Sequence, residues 1–192
     1  SELARVALSL SGPIPTPYYP LSVNTLEDNA ISIASLYTDL LARAPQGKSK
    51  LRDILSKHFK HYEELCIKIA KDLGVKYAGF DYSLSPWMEY SVGEVIEKLM
   101  NKHLGNHGTL YTIYYVNRVL KEVADNAGTR GVGFCEVMLP IAEDNLLKLR
   151  VNEGKLDIRD LISYTITCVA GLDMVYFPRE DLEFVKDIVM DL

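Results

Sequence analysis

The chain has 192 residues, 48% of them hydrophobic and 24% charged, with a formal net charge of -5. That is long enough to bury a real core, and the composition is that of a water-soluble globular protein. The acidic balance supplies no surplus of Lys and Arg to neutralise phosphates, so nucleic acid is excluded as a main partner, and no apolar run reaches the ~20 residues of a membrane-spanning helix.

Cys66, Cys135 and Cys168 are an odd count at wide spacing, which argues against a disulfide framework or a zinc knuckle. Reduced thiols fit a cytoplasmic protein best. The opening Ser1-Glu2-Leu3-Ala4 lacks the basic segment of a secretory signal.

In chain order, residues 4–10 are mostly apolar and stop at Gly12-Pro13, the pattern of a buried strand. Prolines at 15, 17 and 20 then force an extended loop. Thr25 predicts the N-cap of a first helix, whose stripe is Leu26, Ala30, Ile33, Tyr37, Leu40 and Leu41. A second, long helix is predicted from about Ser49 to Leu73, ending at Gly74. Residues 75–84 predict strand two. Ser91-Val92-Gly93-Glu94 is a capping-box pattern for a third helix.

After the Gly105-Asn106-His107-Gly108 break, Thr109 is expected to cap a tyrosine-rich helix that runs to about Ala124. Residues 131–139 predict strand three, residues 142–151 and 157–164 predict helices, residues 165–177 contain strand four, and residues 180–192 form an amphipathic final helix. Strands separated by helical crossovers of this length pair in parallel with right-handed connections. The expected fold class is α/β: one domain over residues 1–192, a parallel sheet or an arc of an α/β barrel, with one or two helices after each strand.

Several segments carry a family resemblance. Phe80-Asp81-Tyr82-Ser83-Leu84-Ser85-Pro86, Gly105-Asn106-His107-Gly108-Thr109-Leu110, Val137-Met138-Leu139-Pro140-Ile141-Ala142-Glu143-Asp144 and Cys168-Val169-Ala170-Gly171-Leu172-Asp173 occur in that order, after Thr16-Pro17-Tyr18-Tyr19-Pro20. The ordered set resembles the uncharacterised domain of unknown function 711 family, the UPF 0210 group. The resemblance implies a barrel shaped like that of pyruvate formate-lyase type proteins, and it implies no activity. Family members are typically longer, so it also implies that this chain is the C-terminal part of a larger protein. Arg130-Gly131-Val132-Gly133-Phe134 resembles a glycyl-radical loop only in part. It sits where a strand is expected, and no cysteine pair accompanies it.

Ligands of parallel α/β proteins bind at the carboxyl ends of strands. Ser9, Ser11, Asp81, Ser83, Glu143, Asp144 and Asp173 fall there. If these ends converge, Asp81, Glu143, Asp144 and Asp173 would line one mouth able to hold Mg, Mn or Ca through oxygen ligands. The same acids, Glu143 and Asp144 above all, could instead act as acid and base. The plainer alternative is that they cap helices and turns. His107, between two glycines, is a candidate catalytic base or phosphate contact, or an incidental turn residue.

Cys135 is expected to fill a strand face with Val137 and Leu139, and Cys168 to be similar filler. His58, His61 and Glu64 read as a solvated helix face rather than a zinc site. Trp87, Tyr111, Tyr114 and Tyr115 are expected to pack or to form an interface. Together these features point to an enzyme using a carboxylate-lined site. The alternative is a non-catalytic assembly or small-molecule-binding subunit. The open edges of a barrel arc predict a homo-oligomer or a separate N-terminal chain as partner.

Overall fold

In a computed structural model of the chain, the described residues are 16–17, 27–44, 48–168 and 171–192. The elements are β1 (Ala30–Ala34), α1 (Thr38–Arg43), α2 (Lys48–Leu73), β2 (Lys76–Asp81), α3 (Val92–Met100), α4 (Thr109–Ala127), α5 (Asn145–Asn152), α6 (Ile158–Tyr164) and α7 (Leu182–Asp191). Short 3-10 turns at Ile141–Glu143 and Arg179–Asp181 precede α5 and α7. The class is mixed α/β, with many helices and a small parallel sheet. The expected strand at residues 4–10, the cap at Thr25, and Ser9 and Ser11 lie outside the described residues.

The chain divides into two compact units. The first comprises Ser1–Ser35, Arg52–Ser83 and Leu120–Cys135. Its sheet is β1 beside β2, parallel, with Ala30 opposite Lys76, Ala34 opposite Asp81, and a register shift between Ile31 and Ser32. This corrects the expected first helix. Ala30-Ile31-Ser32-Ile33-Ala34 also alternates with period two, and its β-branched isoleucines suit a pleated surface. Pairing with β2 outweighed the helical spacing, and only Thr38–Arg43 of that stretch is helical. The unit's interior holds Leu55, Phe59, Phe80, Tyr82, Leu120 and Val123, all buried. The Phe59 ring meets Phe80 edge-on at 5.9 Å and Tyr82 at 5.2 Å, separations at which aromatic pairs attract beyond their burial.

The second unit comprises Leu36–Leu51, Leu84–Val119 and Glu136–Leu192. Leu84, Val92, Ile96, Leu104, Ile113, Val137, Leu147 and Leu156 are fully or almost fully buried in it. The Ser91 hydroxyl caps α3 by accepting from the Glu94 N–H at 3.0 Å, which is one half of the expected capping box. The Glu94 carboxylate pairs with Lys98 at 2.6 Å. Asp157 and Asp160 form a reciprocal capping box on α6. Thr109 is not the cap of α4. It is the first helical residue, and its hydroxyl donates back to the Asn106 carbonyl at 2.8 Å.

Strands three and four do not form as regular strands among the described residues. The expected third strand makes one parallel bridge at each end, Gly131 with Phe80 and Val137 with Leu84. Between these ends Gly133 (φ 96°) and Cys135 (φ 57°) adopt left-handed backbone, which breaks an extended run. Cys135 therefore does not share an alternating face with Val137 and Leu139. In the expected fourth strand, Gly171 (φ 70°) and Met174 (φ 50°) are left-handed as well. The Cys168 N–H turns back to the Tyr164 carbonyl. Val169 and Ala170 lie outside the described residues. Trp87, Tyr111 and Tyr114 are each about half exposed, not packed in the core. Among the described residues, no helix is long and apolar enough to cross a membrane.

Candidate functional site

Three of the four acids singled out above lie in the second unit. The segment at 141–142 runs beside 173–174: the Ile141 N–H donates to the Asp173 carbonyl at 3.1 Å, and the Ala142 N–H to the Met174 carbonyl at 3.2 Å. These two backbone bonds bring Glu143 and Asp173 into electrostatic contact. Burial, and then the Glu143 charge, push the Asp173 carboxyl up to about 6. Burial also raises the Glu143 carboxyl above its ordinary value. Lys148 donates from Nζ to the Ala142 carbonyl at 3.3 Å, so a cation lies beside this segment.

Asp144, next along the chain, has another task. It is fully buried and extended, between the 3-10 turn and α5. Its Oδ1 accepts from the N–H groups of Leu146 (2.9 Å) and Leu147 (3.1 Å), and its Oδ2 from the Gly93 N–H (3.2 Å). One carboxylate thus satisfies first-turn donors of both α3 and α5 and complements the positive ends of two helices. Its oxygens are committed to backbone, as the capping alternative expects.

Asp81 ends β2 in the first unit and is fully buried. Its Oδ1 accepts from Ser83 N (3.0 Å), Ser83 Oγ (2.6 Å) and Cys135 N (3.0 Å), and its Oδ2 from Phe134 N (2.9 Å) and Thr16 Oγ1 (3.4 Å). Five donors occupy it. Cys135 hydrogen-bonds with Tyr82, and burial followed by the Asp81 charge pushes the Cys135 thiol up to about 11. A thiol that holds its proton so firmly is a poor nucleophile at neutral pH. Among the described residues, no group of three or more His, Cys, Asp and Glu side chains is placed to hold a metal ion. His58 lies within hydrogen-bonding distance of Ser35 Oγ (3.2 Å) and stacks at a tilt on Tyr62.

His107 is exposed and lines a cleft of about 290 Å³ with Leu99, Met100, Lys102, Tyr111 and Tyr115. The cleft wall carries two groups able to bear positive charge and no carboxylate, and none of the four singled-out acids lines it. Lys102 escaped the sequence reading. It carries no motif, and its place beside His107 depends on the turn at 101–108 between α3 and α4.

A second structural group was also not legible. Arg150, almost fully buried, donates from Nε and Nη2 to both oxygens of Glu97 at 2.6 and 2.8 Å, and from Nη1 to Glu153 at 2.8 Å. Glu97 further accepts from the Leu104 N–H (2.9 Å) and meets His103 (3.1 Å). Arg150 and Glu97 are 53 residues apart in sequence, on different helices, and show no shared pattern.

Comparison with known proteins places these features in a lineage. Residues 4–192 match the profile of the family described as "Uncharacterised ACR (DUF711)". The chain is similar to the UPF0210 protein of Lactococcus lactis subsp. cremoris, 33% identical over 110 residues, covering 56% of this chain and 25% of that protein. It is also similar to the UPF0210 proteins of Carboxydothermus hydrogenoformans (34% over 113 residues, 58% and 25%) and Sulfurisphaera tokodaii (30% over 109 residues, 56% and 24%). The match thus spans about a quarter of the length of these relatives. Their names assign no activity.

Proposed function

The chain belongs to the DUF711 family, and on that premise we propose that it supplies an acid–base site to an enzyme, with Glu143 and Asp173 as the working pair. The observation that carries this reading is the backbone pairing of 141–142 with 173–174, which brings two partly buried carboxyls within electrostatic reach of each other. A carboxyl that titrates near 6 can release and recover a proton close to neutral pH, which an ordinary aspartate does not. Burial first, and then the Glu143 charge, keep the Asp173 proton in place, and Lys148 offers a counter-charge when the pair ionises. Asp144 is a positioning residue: its bonds to α3 and α5 hold the backbone from which Glu143 projects. Two carboxylates are too few to cage a Mg, Mn or Ca ion without water or substrate oxygens, so no step is routed through a metal. The match spans about a quarter of the relatives' length, so a whole-protein activity is itself part of this proposal, as is the α/β-barrel arc that frames it.

The test is a panel of small metabolites, with Mg and Mn, read by thermal shift on the chain and on the Glu143→Gln/Asp173→Asn double variant. The expected result is a compound that raises the midpoint of the parent and not of the variant, because ligands that bind only the native state stabilise it. That compound should then exchange an acidic C–H for deuterium in heavy water. A panel that shifts both proteins equally overturns the reading.

The cleft at His107 favours a second reading, a small-molecule-binding subunit. Lys102 and His107 over an apolar and aromatic floor suit a small anion with an apolar body. Phenyl phosphate titrated calorimetrically should bind the parent chain, and at least tenfold more weakly after Lys102→Ala. Equal affinity in the two would end that reading.

A further inference from the structure

The loop at 131–135 has the construction of an anion receptor. Successive backbone N–H groups converge where residues alternate between right- and left-handed conformations, and such concavities bind anions. Here Gly133 and Cys135 are left-handed, and the N–H groups of Phe134 and Cys135 point at one carboxylate, that of Asp81. The fit is tight. A β-carbon on Gly133 would lie 2.2 Å from Asp81 Oδ2 and 2.8 Å from Thr16 Oγ1, so only glycine lets the loop close on its occupant. Asp81 is fully buried, 53 and 54 residues from these donors in sequence, and bound by five donors in all. A buried carboxylate left without such donors would be costly, and so would the Phe134 N–H, on a buried residue, left without an acceptor.

We infer that residues 131–135 form a carboxylate receptor whose ligand is the side chain of Asp81 in the same chain. Asp81 is therefore a built-in ligand and a positioning residue. It clamps the end of β2 to the loop and fixes the Cys135 thiol against the Tyr82 phenol. This assignment does not depend on the acid–base reading of Glu143 and Asp173.

The experiment is chemical rescue. Asp81→Ala empties the receptor while keeping the backbone, and its thermal midpoint should fall by roughly 10 °C. Sodium formate, a carboxylate small enough to enter the vacated space, should restore part of that loss in a saturable way. It should shift the parent chain no more than sodium chloride at the same ionic strength. Formate acting alike on both proteins would overturn the proposal, as would an Asp81→Ala chain as stable as the parent. If Asp81→Ala does not fold, the parent chain still decides. Amide exchange by NMR should find the Phe134 and Cys135 hydrogens at least a hundredfold protected, although they lie outside any helix or strand. Exchange at the rate of an open loop would overturn the assignment.

Discussion

The side-chain amide of Asn117 stands in for a neighbouring strand of Val137. Its Oδ1 accepts the Val137 N–H at 2.7 Å, while its Nδ2 donates to the Thr167 carbonyl. The Cys168 thiol approaches the Val137 carbonyl at 3.2 Å. On its other side this stretch pairs with Leu84: the Met138 N–H donates to the Leu84 carbonyl at 2.9 Å, and the Leu84 N–H to the Glu136 carbonyl at 3.1 Å. Both edges of the stretch are therefore satisfied without a fourth strand.

This relationship predicts the cost of losing the amide. Asn117→Leu leaves the Val137 N–H and the Thr167 carbonyl without their partner and should destabilise the chain by about 2 kcal/mol. Urea denaturation measures it. A change below about 0.5 kcal/mol, the range of neutral surface substitutions, would show that water replaces the amide.

The Glu97–Arg150 pair predicts an acid-side weakness. Burial alone would raise the Glu97 carboxyl, but hydrogen bonds from Arg150, the Leu104 N–H and His103 outweigh it and hold the group at about 2. A folded-state value below the ordinary one adds stability above about pH 4.5, and this is lost as pH falls toward 2. Glu97→Gln should cost about 3 kcal/mol at pH 7, since it strands a buried guanidinium. The difference between parent and variant should shrink as the solution is acidified. A constant difference from pH 7 to pH 2.5 in denaturation experiments would contradict this.

Asp173 predicts the opposite sign. Its folded-state value of about 6 lies above the ordinary 3.8, so the folded chain holds this proton more tightly than the unfolded one. The resulting stability is fully present below pH 3.8 and is lost as pH rises through 6. Asp173→Asn removes that dependence. Relative to the parent, the variant should gain stability between pH 4 and pH 7, as read from thermal midpoints at each pH. Glu143→Gln should lower the Asp173 titration midpoint seen by carboxyl-carbon NMR, and an unmoved midpoint would separate the two acids.

Two glycines with positive φ should differ sharply. A β-carbon on Gly105 (φ 82°) would fall 1.6 Å from the Lys155 carbonyl oxygen, whereas one on Gly154 (φ 65°) meets nothing within 4 Å. Gly154→Ala should cost about 1 kcal/mol, from backbone strain alone. Gly105→Ala should cost upward of about 3 kcal/mol, because rigid backbone must move as well. Equal costs in parallel urea titrations would mean that the 105 turn yields easily.

The sequence by itself determined the features whose cause is local. The long α2, the Ser91 cap of α3, and the α6 and α7 helices follow from apolar spacing and capping residues only a few positions apart. The ordered motifs were enough to show the family resemblance, which the profile match over residues 4–192 establishes. Tertiary structure decided the rest. Ala30–Ala34 fits both periods, and only the edge of β2 selects strand. The stretch at 131–139 has strand composition, but Asp81 draws its middle into a left-handed loop through donors contributed from 53 and 54 residues away. Asp144 and Asp81 looked alike as acids near strand ends, yet both are bound by backbone N–H groups, while Glu143 and Asp173 are the pair brought together. That sorting depends on which carboxylate meets which partner 30 to 54 residues away along the chain, and such long-range pairing leaves no periodic trace in sequence.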